Sequence, residues 1–221
     1  MSSNSRFVPA ALGLALVMFA AAPFVINTAP YESTMGLVQR IFYFHFPAAM
    51  SLFAAAFTCG IASLIYLRTR SARADQIAVA GAELAVVFGI IVLTTGPLWA
   101  RKTWGIWWDW DAKLTSTLVM WLIFSSYLLL RRFGGPGSEM LSAAVGFFGM
   151  MLVPFVYVSV NFWRTLHPKT SVVPNLPAPM LVPALWCLTA FLLLFISLLL
   201  LRARLEASRS DLDRVALALE D

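Results

Sequence analysis

Two histidines and a knot of tryptophans are the residues of this chain whose types and spacing could do chemistry. His45 and His167 are its only histidines, and Trp104, Trp107, Trp108 and Trp110 fall within seven consecutive positions. Neutral imidazole binds iron and other transition metals, and two imidazoles from different segments can clasp an octahedral metal from opposite sides. A large indole needs a surface to pack on and a partner for its N–H, so the stretch KTWGIWWDWDAKLT (102–115) asks for either a flat aromatic ligand or a membrane interface. On a helix Trp104, Trp107, Trp108 and Asp111 would share one face; in an extended chain Trp104, Trp108 and Trp110 would. Gly105 weakens the helix without forbidding it. The residues alone leave both readings open, an aromatic belt that anchors the chain or a platform for a planar ligand. Four tryptophans interleaved with Asp109 and Asp111 exceed what anchoring needs.

The prolines locate the histidines. His45 stands two residues before Pro47, a residue suited to the first turn of a helix. His167 directly precedes Pro168, which tends to end a helix. Both imidazoles are therefore expected at helix ends near an interface, where a lone histidine serves as a hydrogen-bonded polar tip. A zinc site would require three or four ligands, and no third histidine or neighbouring cysteine exists. Cys59 and Cys187 fall inside apolar runs without a CxxC spacing and read as small packing residues.

The elements that must position these groups cross a membrane. Of 221 residues, 60% are hydrophobic and 12% charged, with a mean hydropathy of +0.80. Spanning a hydrocarbon core takes roughly 20 apolar residues in a helix. Six runs qualify, at about 7–26, 48–67, 77–99, 114–130, 141–160 and 181–201. They are long and lack strand-like alternation, which predicts an all-α bundle of six transmembrane helices in preference to a β-barrel. The first run exceeds the apolar stretch of a signal peptide and is followed by no convincing cleavage site, so it reads as a retained span. The net charge of +5 does not point to nucleic acid, because the basic residues sit at span ends.

With six spans, both termini share a side with loops 68–76 and 131–140. That side holds Arg6, Arg68, Arg70, Arg73, Arg131, Arg132, Arg202, Arg204, Arg209 and Arg214. The other holds Arg40, Arg101, Lys102, Lys113, Arg164 and Lys169, completing the sixteen Lys and Arg. The excess predicts cytoplasmic termini and an outer face carrying the loop between helices 3 and 4. Parity also puts both histidines and the tryptophan loop on one face, whichever way the bundle inserts. Haem satisfies all the parts together, being planar and aromatic, taking axial histidines, and ending in propionates that favour Arg or Lys.

The chain reads as one domain, 1–221, with a tryptophan-rich outer loop at 100–113 and a short cytoplasmic tail at 202–221, a solvated helix end. Two rival readings remain. A bis-histidine haem electron-transfer membrane subunit would set its ligands deeper, in facing helices. A small-molecule permease would use Glu83 and the Pro154-interrupted fifth span, since intramembrane acids are functional suspects. Glu83 lies near the cytoplasmic end, where it can also snorkel, pair or contact a partner.

The segment WGIWWDWDAKLTS resembles the tryptophan-rich WWD signature of haem-handling membrane proteins, WGxWWxWDxxxT. Its continuation DAKLTS is similar to the CcmC (haem exporter protein C) family of the cytochrome c maturation apparatus; larger haem-lyase relatives usually continue with a WDPxE-like segment. RIFYFHFPAAM and FWRTLHP resemble that family's two histidine segments, and LTTGPLWARKTWG also fits. Asp109 stands where an uncharged residue is expected and Arg164 where Asn is commoner. The resemblance covers nearly the whole chain and implies a haem chaperone without a hydrolytic motif. It implies non-covalent, transient haem b on a platform of Trp104, Trp107, Trp108, Trp110 and Asp111, with His45 and His167 as axial ligands. It further implies a multi-pass protein of the bacterial inner membrane that faces the periplasm and presents haem to the haem chaperone CcmE, beside CcmA, CcmB and CcmD.

Overall fold

A computed structural model describes residues 4–220. The ends of the single-domain reading, 1–3 and 221, and the side chain of Arg214 lie outside the described residues. Six α-helices follow in order: α1 (Asn4–Asn27), α2 (Phe42–Thr69), α3 (Ala72–Trp104), α4 (Ala112–Phe133), α5 (Ser138–Phe162) and α6 (Ala178–Glu220). Each is long and apolar enough to cross a membrane, and no β-strand occurs among the described residues. The expected six-helix bundle is what the chain forms.

Several helices outrun their apolar cores. Hydropathy marks the stretch that lipid covers, whereas a helix continues until something stops it, and Arg, Lys, Leu and Ala are good helix formers. Thus α3 runs through Arg101 and Lys102 to Trp104 and stops at Gly105, whose φ of 79° is the left-handed conformation of a helix end. The Arg101 guanidinium donates to the Gly105 carbonyl and satisfies one of the orphaned acceptors there. The tryptophan loop therefore contracts from the expected 100–113 to 105–111. Likewise α6 continues as helix along the expected tail as far as Glu220.

Helices α2 and α3 form the centre; α2 packs on α3, α5 and α6, while α1 packs on α6 and α4 on α5. Their seam is built from small residues, among them Ala48, Ala55, Ala56 and Cys59 of α2 and Ala78, Ala82 and Ala85 of α3, all buried. A Cβ at Gly81 would stand 2.8 Å from the Cys59 backbone nitrogen, so glycine is what lets these backbones approach. In lipid, helix association draws on such packing and on interhelical hydrogen bonds. The indole N–H groups supply two of the latter, Trp121 to Val86 O at 3.1 Å and Trp186 to Met18 O at 3.0 Å. Prolines at 47, 97, 154 and 183 sit inside helices without ending them, as membrane helices tolerate.

At the end of the bundle away from the histidines, charged residues pair between helices. Glu83 accepts two hydrogen bonds from the Arg202 guanidinium, that from Nη2 at 2.6 Å. Arg131 reaches Asp75 at 2.7 Å. The intramembrane acid is thus paired across α3 and α6.

Candidate functional site

The first turns of α2, the last turns of α3, the tryptophan loop and the segment after α5 converge at one end of the bundle around a cavity of about 880 Å³. That volume falls in the roughly 300–1,000 Å³ range of pockets that enclose cofactor-sized ligands. Its walls are mainly apolar and aromatic, with Phe42, Phe46 and Phe53 from α2 and Val92, Trp99 and Trp104 from α3. Its polar lining includes Glu32, Asp109, Asp111, Lys113, Lys169 and both histidines.

His45 lies inside the first turns of α2, not before them, because a 3₁₀ turn (Leu37–Ile41) leads directly into the helix. It is buried, its Nδ1 stands 2.8 Å from Thr95 Oγ1, and its ring meets Trp99 edge-on at 5.8 Å. His167 sits in the irregular segment after α5. Its Nδ1 faces the Pro168 carbonyl at 2.9 Å, and a carbonyl can only accept, so this ring carries its proton on Nδ1 and leaves the Nε2 lone pair free. Burial pushes the His167 imidazole down to about 4, aided by the Lys113 charge and opposed by the Pro168 hydrogen bond and Asp111. The two imidazole centroids are 6.5 Å apart. Rings bound from opposite sides of one metal, at roughly 2 Å each, would have centroids about 6 Å apart.

The tryptophans divide. The loop is neither helical nor regularly extended, so no single face collects three of them. Trp104 and Trp108 line the cavity. Trp107 and Trp110 are 56% and 75% exposed, and Trp110 packs edge-on against Trp108 at 5.7 Å. The indole N–H groups of Trp99 and Trp108 are buried without a hydrogen-bond partner among the described residues. Buried donors of this kind call for an acceptor.

Asp111 caps α4, its Oδ1 accepting from Leu114 N–H at 2.7 Å. Its other oxygen accepts from the Thr165 hydroxyl, and Thr165 Oγ1 in turn accepts from the His167 N–H at 3.0 Å. One carboxylate thus starts α4 and ties down the segment that carries His167. Of the six basic residues at this end, Lys113 and Lys169 line the cavity. Lys113 also donates to Val156 O at 2.9 Å, and Arg40 lies over the Tyr31 ring at 5.5 Å. At the rim, the Met35 and Thr34 amides, 2.6 and 2.8 Å away, hold the Glu32 carboxyl below the usual carboxylate range. Among the described residues, no group of three or more His, Cys, Asp or Glu side chains could hold a metal ion.

Residue-type reasoning passed over Trp99, Thr95 and Thr165. The first two lie in LTTGPLWARKTWG, where the order of small, polar and aromatic residues was the available signal. Thr165 has none, since its role depends on a neighbour 54 positions away.

Fold and site together define a polytopic helical membrane protein with an open, aromatic cavity flanked by two histidines at one end of its bundle. The chain belongs to the heme exporter protein C (CcmC) family, whose model matches residues 1–217. It is 33% identical to the heme exporter protein C of Bradyrhizobium diazoefficiens over 95% of this chain and 82% of that protein. It is 31% identical to that of Haemophilus influenzae, over 84% and 78%, and 33% identical to that of Escherichia coli K12, over 80% and 73%.

Proposed function

We propose that this chain holds haem b, non-covalently and transiently, in the cavity between His45 and His167 and hands it on for cytochrome c maturation. The observation that carries the reading is the spacing of the two imidazoles, 6.5 Å between centroids, across a cavity walled by tryptophan and phenylalanine. Nε2 of each histidine would ligate the iron. Trp104 and Trp108 would pack on the porphyrin plane, Trp107 and Trp110 would cover its exposed edge, and Lys113 and Lys169 would meet the propionates. Asp111 would act on haem through the His167 segment that it ties down.

In this reading haem is cargo, and the protein's work is to bind and orient it, shield the iron and let go. The family's name supports heme export as the setting. The arrangement supports a surface hand-over, because His167 and the tryptophan loop are loop residues at the end of the bundle. The recipient would be CcmE, with CcmA, CcmB and CcmD as companions. The protein would lie in the bacterial inner membrane, termini in the cytoplasm and cavity towards the periplasm, as the basic residues favour. An electron-transfer subunit would hold both ligands on facing helices, and here His167 does not sit on one. A permease built on Glu83 loses its central group, which is paired with Arg202 and does not line the cavity.

Purified protein from haem-replete cells is expected to carry b-type haem with a two-imidazole absorption spectrum. His45→Ala and His167→Ala should each change that spectrum, and Trp108→Ala should lower the haem retained. A haem-free preparation, or unchanged spectra in both histidine variants, would refute the proposal. Accumulation of haem-loaded CcmE in cells then separates a presenter of haem from an electron carrier.

A further inference from the structure

The two histidines are held by different means, and the difference assigns a role to a residue of α3. Thr95 Oγ1 stands 2.7 Å from the Ile91 carbonyl one turn earlier on its own helix and 2.8 Å from His45 Nδ1. A hydroxyl has one proton to give and two lone pairs with which to accept. The Ile91 oxygen can only accept, and two oxygens at 2.7 Å with no proton between them would repel. The Thr95 proton is therefore committed to Ile91, and its lone pairs face His45. Nδ1 of His45 must then carry a proton of its own, which leaves Nε2 as the free lone pair of the ring.

Space around the ring fits the same arrangement. A Cβ added at Gly96 would stand 3.3 Å from His45 Cε1, closer than side chains ordinarily approach, so the glycine keeps room for the imidazole beside the hydroxyl. Trp99, one turn on from Thr95, closes the ring's edge at 5.8 Å. Threonine, glycine and tryptophan of one helix thus set the tautomer, the clearance and the tilt of a histidine on another. A neutral acceptor does this without placing a charge inside the span, where charge is costly.

We propose that Thr95 is a positioning residue for His45, holding it as the Nδ1–H tautomer so that Nε2 is the nitrogen presented to the iron of bound haem. The proposal rests on the haem-handling reading for its consequence, though not for the state of the imidazole itself. Metal-bound histidines generally donate their second N–H to such a partner, which orients the ring and raises its basicity. His167 obtains the equivalent restraint from a backbone carbonyl that no side-chain substitution removes.

The test uses the full chain, purified through a histidine-free tag, labelled with 15N-histidine and reconstituted in nanodiscs. With two histidines in the sequence, each tautomer is read directly from its ring nitrogen shifts. In the haem-free protein both rings are expected as Nδ1–H. Thr95→Val, which keeps the shape and removes the acceptor, should move His45 towards the Nε2–H tautomer and leave His167 unchanged; Thr95→Ser should restore it. With haem added, Thr95→Val should bind roughly 10-fold more weakly and show high-spin character that Thr95→Ser lacks. An Nε2–H tautomer for His45 in the unsubstituted protein overturns the proposal. So does a Thr95→Val protein with the original His45 shifts, or with altered shifts but undiminished haem binding. If the shifts behave as expected and no form of the protein binds haem, the haem reading falls while the restraint of His45 by Thr95 stands.

Discussion

Replacing Asp111 separates two ways in which the second acid of WDWD could serve this site, by touching cargo or by building the loop that does. In the structure Asp111 accepts from Leu114 N–H at the start of α4 and from the Thr165 hydroxyl, which supports the His167 N–H. Asp111→Ala removes a helix cap, a loss of about 1 kcal/mol. It also removes a hydrogen bond to a carboxylate, worth about 1.5–3 kcal/mol. Together these lower stability by about 2.5–4 kcal/mol, the cap's share falling at the start of α4 and the larger share on residues 163–170. Asp111→Asn keeps the cap, since asparagine is as good an N-cap as aspartate, and exchanges the carboxylate bond for a weaker amide one at a cost of about 1 kcal/mol. Thermal unfolding in detergent and amide hydrogen exchange across 163–170 read the two effects, with haem retention measured alongside. The expected order in all three is wild type, then Asn, then Ala, with faster exchange in the His167 segment of the Ala variant. Equal damage from Asn and Ala, or an Ala variant whose 163–170 amides exchange as in the wild type, would refute the loop-building role.

Gly89→Ala places a Cβ 2.4 Å from Trp121 Cδ1 and disturbs the indole bond to Val86; it is expected to cost about 2 kcal/mol as a lowered thermal midpoint, while Gly13→Ala, with nothing within 4 Å, is near neutral. Glu83→Ala and Arg202→Ala should each destabilise the bundle and the double variant by less than their sum, with a coupling of at least about 0.5 kcal/mol; strictly additive effects would show that the pair does not couple α3 to α6. The lowered pKa of His167, about 4, means that its neutral, metal-binding form survives acidification through the pH at which a solvated imidazole takes up its proton. Haem retention is therefore expected to stay flat from about pH 7.5 to 5.5, and a loss centred near 6.5 would contradict the lowered pKa of this ring.

How much of this protein could be read in advance depends on whether a property is local. Six spans follow from apolar length alone, and loop parity then puts His45, His167 and the tryptophan loop at one end, because each crossing reverses the side. The identities of the proposed ligands were legible for the same reason, two histidines and a dense tryptophan run being visible without coordinates. Helix ends were less so: α3 continues past its apolar core to Gly105, since lipid coverage and helix propensity stop at different places. What tertiary structure alone decided was which side chains face the cavity. Trp104 and Trp108 do and Trp107 and Trp110 do not, because an irregular loop imposes no period from which a shared face could be inferred. Asp111, Thr165 and His167 form one chain across 54 residues of sequence. Thr95 meets His45 across 50, and Glu83 meets Arg202 across 119. Such partners are set by the rotation and depth at which packed helices settle, and that choice is made by small residues such as Gly81 and Gly96 that say where two elements approach closely and nothing, by themselves, of what they approach.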